Sequence, residues 1–320
     1  MRRFRLFLLA LSTMALGAAL SPGTAAAACP LGPGPIWADA AAYGVYGTPV
    51  EQILARPGTV LGVSDDDWAQ SYQSRGAETA GWHMQLPAIV GKVSSPKTKS
   101  AVLSKIPGLS SLAHRMTTCD PPWLALNEMQ TVQSPEPVSS AQRRYRENVL
   151  LLAKALHARG VRVILLMPRI PYDRTRYKSY WRTLSRYTDF VYEAYTWSSR
   201  DVIRRSDAGA RKFLRDRWTL AVKRLKKFTV HPGRTGLMIP YWSHNRLSGR
   251  VGLSDTAWFR LTRIKTQAAS AVGRNEGLST LWSWGWHTNP RVGEVDADKP
   301  RAACHYLNAR DPALCDPSTL

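Results

Sequence analysis

The chain has 320 residues, with 44 Lys+Arg against 23 Asp+Glu, a formal net charge of +21 and 44% hydrophobic residues. That apolar fraction excludes a disordered chain, and the length suits one large domain or two ordinary ones. No nucleic-acid motif accompanies the charge, so no nucleic-acid partner is expected from it.

The chain opens on an apolar stretch, Leu6 to Leu20, preceded by Arg2, Arg3 and Arg5 and followed by the small residues Thr24 to Ala28. This pattern predicts a secretory signal peptide over residues 1–28. Twin-arginine export fits the residues around Arg2 and Arg3 poorly. A lipoprotein signal at Cys29 fits less well still, because Ala26 stands where such signals usually carry Leu. No second apolar run of membrane length follows, so no stable membrane insertion is expected after cleavage, and the protein is expected to be secreted or associated with the cell wall. All four cysteines lie beyond the leader, where oxidation is the default. Of the three possible pairings, the one favoured joins Cys304 with Cys315, which close a short loop, and Cys29 with Cys119, while the other two stay open. No CxxC pair or His-x-x-x-His spacing supports zinc, and neither a metal nor a cofactor is expected.

Short apolar runs then alternate with amphipathic stretches. Ile36–Asp39 precedes a short helix around Pro49–Ala55, Thr59–Ser64 precedes Asp66–Ser74, and Gln85–Gly91 precedes Lys99–Met116. Trp123–Met129 precedes Ala141–Arg159, and Val161–Met167 precedes Tyr177–Tyr187. Asp189–Trp197 leads into a basic helix, capped by Ser199, that runs towards Lys227. Gly236–Trp242 and Leu278–Trp286 follow, with Ser254–Val272 between them. Eight strand-helix units in about 250 residues predict a (β/α)8 TIM barrel over residues 29–288, with residues 289–320 as a disulfide-bearing C-terminal extension. A doubly wound sheet would want a Gly-rich turn after its first strand, and none is present.

The chemistry of such a barrel sits at the C-terminal ends of its strands. Here those ends carry Asp39, Asp65, Asn127, Glu128, Arg169, Glu193, Tyr195, Trp242, His244, Trp284 and Trp286. Carboxylates can do acid/base work on an acetal, and indole and phenol faces can stack on sugar rings. The alternation in Trp282-Ser283-Trp284-Gly285-Trp286 would turn all three indoles the same way.

The segment PPWLALNEM resembles the Trp-x-x-x-Asn-Glu motif that ends the fourth strand in the large (β/α)8 clan of retaining glycoside hydrolases. The resemblance implies Glu128 as general acid/base and Asn127 as the residue bonded to the sugar 2-hydroxyl. That clan carries its nucleophile, a Glu, at the end of the seventh strand, whereas LMIPYWSHN offers Tyr241, Trp242 and His244 there. Glu193 on the sixth strand is the nearest substitute. VYEAY and LWSWGW are in turn similar to the sixth and eighth strands of chitinase-like (β/α)8 glycosidases, although the alternating Asp residues of their fourth strand are missing.

The sequence therefore predicts an exported glycoside hydrolase acting on a polysaccharide, with catalytic Glu128 and Glu193 and substrate contacts from Asn127, Tyr195, Trp242, His244, Trp284, Trp286 and Asp65. The alternative is a non-catalytic carbohydrate-binding or cell-envelope barrel. Between Pro168 and Arg234, 18 Lys/Arg face 6 Asp/Glu. For an exported protein this charge favours an anionic cell-wall or extracellular glycan as partner.

Overall fold

A computed structural model of the protein describes residues 29, 34–40, 45–83, 85–130, 139–171, 178–195, 198–243, 249–287 and 298–320. The expected leader and His244 lie outside the described residues.

Eight parallel strands close into one barrel: β1 Ile36–Ala40, β2 Val60–Val63, β3 Glu78–His83, β4 Trp123–Leu126, β5 Arg162–Met167, β6 Thr188–Glu193, β7 Thr235–Pro240 and β8 Thr280–Trp284. Each strand pairs with the next, and β8 returns to β1 with Ile36 opposite Thr280. The chain is thus a TIM barrel. Its strands are buried on both faces, which explains unbroken apolar runs such as WLAL in β4. Trp123 and Ala125 of that run fill the interior beside Ile164, Leu166, Val191, Met238 and Trp282. Leu124 and Leu126 face the helical layer.

The helices are α1 Pro49–Leu54, α2 Asp66–Ser74, α3 Leu86–Val90, α4 Lys99–Leu103, α5 Ile106–Met116, α6 Ser140–His157, α7 Lys178–Leu184, α8 Ser199–Ile203, α9 Asp207–Lys226, α10 Asp255–Asn275 and α11 Lys299–Arg310. Ser139, Ser206 and Ser254 start the three longest, each accepting a hydrogen bond from the backbone N–H three residues on.

Two elements differ from the sequence expectation. The third strand is Glu78–His83, while most of the segment expected as a strand, Gln85–Gly91, forms the short helix α3. Pro87 sits in that helix's first turn, where its missing N–H costs nothing. ETAGWH lacks a β-branched apolar run and depends on its neighbours to be a strand. The basic helix is also broken in two, and its long part is capped by Ser206 rather than Ser199. Ser206 followed by Asp207 is the stronger start, because Asp207 also binds Arg260 at 2.6 Å and Arg263 at 3.1 Å across to α10.

The segment after β8 joins the outer layer. Its helix α11 packs against α10 and α1 in the position of an eighth barrel helix, and Ala302, Ala303, Tyr306 and Leu307 share a core with Leu261, Ile264 and Leu54. Asp39 on β1 is fully buried and pairs with Arg310 at 3.0 Å. Ser283 donates to the same carboxylate at 2.7 Å and Tyr306 donates to it as well. Asp39 therefore fastens the last helix to the barrel wall and is no part of the mouth. Both expected disulfides are formed, Cys29–Cys119 and Cys304–Cys315. No helix among the described residues is long and apolar enough to cross a membrane.

Candidate active site

The end of the barrel at the strand starts is closed by charge. Asp189, fully buried, takes Arg162 and Arg234 at 2.6 Å each, and the Arg162 guanidinium lies 4.6 Å from the Trp123 ring centre. Ionic closure there leaves the opposite end to carry a site.

At that end β6 terminates in Glu193, which shares the inward face with Val191. Glu193 is only 6% exposed, and its Oε1 accepts no hydrogen bond from the described residues. Burial pushes its carboxyl up to about 7, and the nearby charge of Glu128 adds to the rise. Two residues on, Tyr195 is half-buried and donates to Met238 Sδ at 2.8 Å. Its ring lies 4.9 Å from that of Trp242, which follows β7. Desolvation and then the charge of Glu193 hold the Tyr195 hydroxyl well above its ordinary range.

Glu128 reaches this end by an unusual backbone. Simple alternation from Leu124 and Leu126 would turn it outward into the helical layer, but β4 ends at Leu126 and Glu128 has φ +66°. A non-glycine residue there is strained, and the neighbouring backbone holds it in place. Leu86 N–H donates to the Asn127 carbonyl at 3.0 Å, and Gln130 N–H donates to the Tyr145 hydroxyl at 3.1 Å. The Glu128 side chain is exposed, and Asn127 is half-buried.

The aromatic part of the mouth differs from the expectation. Trp284, 9% exposed, stacks on Trp82 with ring centres 5.6 Å apart and planes 7° apart, and lies 5.1 Å from the His287 ring. Trp82 is not among the expected contacts, because the expected third strand begins at Gln85, seven residues after the observed start at Glu78. Trp286 is fully buried outside the barrel wall, stacked 4.7 Å from Tyr241, with its indole N–H on Ser283 Oγ at 2.5 Å. It cannot meet a sugar at the mouth. The cause is Gly285, whose φ of +95° breaks the alternation, and a Cβ there would collide with Trp242. Asp65 is exposed and its carboxylate caps α2, accepting from Asp67 N–H at 2.9 Å. The sulfurs of Cys29 and Cys119 and the Glu78 carboxylate lie within 4.8 Å of one another, but the sulfurs are bonded together and so are not thiolate ligands.

No protein-family model matches the sequence, and no curated protein matches it. Among solved structures, a glycoside hydrolase family 5 enzyme from Prevotella bryantii B14 is similar at 10% identity and a TM-score of 0.45, over 85% of this chain and 88% of that one. A chitinase from Chromobacterium violaceum ATCC 12472 is similar at 12% identity and a TM-score of 0.45, over 86% and 99%. An L-ribulose 3-epimerase is similar at 14% identity and a TM-score of 0.42, over 80% and 86%. Hydrolases and an epimerase stand side by side at this level of likeness, so no activity passes from them to this chain, and its chemistry rests on its own side chains.

Proposed function

We propose that this chain is an exported glycoside hydrolase that cleaves a polysaccharide at the mouth of its barrel. Glycosidic cleavage needs one carboxyl that is protonated near neutral pH, to give its proton to the leaving oxygen, and a second carboxylate that attacks the anomeric carbon or activates water. The observation that carries the reading is Glu193, a buried carboxyl with one oxygen unpartnered among the described residues and a pKa pushed up to about 7, close enough to Glu128 to feel its charge. Glu193 is then the acid, and Glu128, which the resemblance gave that role, is the second carboxylate, set at the solvent edge where water is at hand. Asn127 holds a sugar hydroxyl, and Trp284, Tyr195 and Trp242 offer ring faces to the sugar. The two disulfides favour an oxidising compartment and support export.

Comparison of Glu193→Gln and Glu128→Gln with the wild type on a polysaccharide panel tests this. Loss of Glu193's proton should lower kcat by roughly 10²- to 10⁴-fold with the fold kept, and Glu128→Gln should be at least as damaging. Unchanged turnover in Glu193→Gln would overturn the assignment. Sugar binding without turnover in the wild type would leave a carbohydrate-binding barrel instead.

A further inference from the structure

The end of the barrel opposite the candidate site carries an unbalanced arc of cations. In a (β/α)8 barrel the helices run back against their strands, so helix C-termini and the starts of the following strands share the end away from the mouth. On that end residues 154–162, 182–189, 223–234 and 274–279 contain eleven Lys/Arg and two acidic residues, Asp189 and Glu276. These segments lead into or open β5, β6, β7 and β8, which are consecutive neighbours in the barrel, so they form one continuous arc. Both acids are used internally. Asp189 is buried between Arg162 and Arg234, and Glu276 lies 3.8 Å from Lys223 and 3.7 Å from Lys226. Lys154, Arg159, Arg182, Arg186, Arg224 and Arg274 are exposed, and among the described residues none of the six has an acidic partner.

Cations at helix C-termini complement the helix dipole, which accounts for their position. The same dipole disfavours acids there, but it does not remove the mutual repulsion of so many cations, which costs stability unless a counter-charge arrives. We propose that this arc is a docking surface for an anionic polysaccharide, one bearing carboxylate or sulfate groups, which would hold the molecule by its closed end and leave the mouth free. One feature favours a glycan over a nucleic acid: the disulfides point to oxidising surroundings, where an anionic polysaccharide is the more available polyanion.

The test is direct binding to polygalacturonate and to dextran sulfate as a function of salt. The triple variant Arg159→Glu, Arg186→Glu, Arg224→Glu is compared with a control of equal charge change elsewhere, Lys92→Glu, Lys105→Glu, Arg143→Glu. Binding by the wild type should weaken steeply with salt. The arc triple should lose at least about tenfold at roughly 0.1 M salt, the control no more than about threefold, and a milder Gln triple should keep the same order. The measurement involves no turnover and so stands apart from the hydrolase reading. Equal losses in the two triples, or no binding to either polysaccharide at low salt, would overturn the proposal. Tighter binding to duplex DNA than to polygalacturonate at matched charge would overturn it too, by assigning the surface to nucleic acid.

Discussion

Glu193 pays for its position with a pH-dependent penalty. Its carboxyl, pushed up to about 7 in the fold, ionises near 4.5 when the chain unfolds, so its favourable state is intact below about pH 4.5 and is lost as the pH rises through 7. Glu193→Gln carries no charge to bury. Urea unfolding should therefore find the variant close to the wild type at pH 4 and more stable by about 3 kcal/mol at pH 8, and a difference that does not change with pH would contradict this. Glu128 carries a different cost, its left-handed backbone at φ +66°. Glu128→Gly should raise stability by about 1 kcal/mol while removing turnover, a pairing expected of strain kept for function. Asn127, Glu128, Glu193, Tyr195 and Trp242 were legible in the sequence, since each stands just at or beyond the end of a strand that its apolar run makes plain. The burial of Trp286 is not legible, because no periodicity reveals that Gly285 turns the chain through a positive φ. The burial that sets the Glu193 pKa was not legible either, as it comes from side chains on other strands.

At the scale of elements, the errors fall where local preference and barrel context disagree. AIV in Gln85–Gly91 has the better strand composition, yet β3 is ETAGWH, held by register with β2 and β4 rather than by its own side chains. The segment after β8 reads as an appendage because its helix has little amphipathic pattern, although it completes the outer layer through a buried ion pair. Arg310→Met should cost about 3–5 kcal/mol, since it strands the buried Asp39 charge. The double variant Arg310→Met, Asp39→Asn should recover much of that loss in thermal unfolding. Additive losses in the double variant would mean that the pair is not what fastens α11 to β1.

The whole molecule was the most legible level, because eight strand-helix alternations in about 250 residues fit few architectures besides the barrel, and misplacing one strand does not change the count. Along the barrel axis, cations gather at the end of the strand starts, while Glu193, Tyr195 and Trp242 stand together at the other. On the proposed function, the open end performs acid-catalysed glycoside hydrolysis with Glu193 as the proton donor. Release of reducing ends from a panel of neutral and anionic polysaccharides, followed from pH 4 to pH 9, tests it most directly. Turnover on at least one of them, with kcat/KM falling as the pH rises through about 7, is the predicted result. No turnover on any glycan, or a rate that holds level up to pH 9, would contradict it.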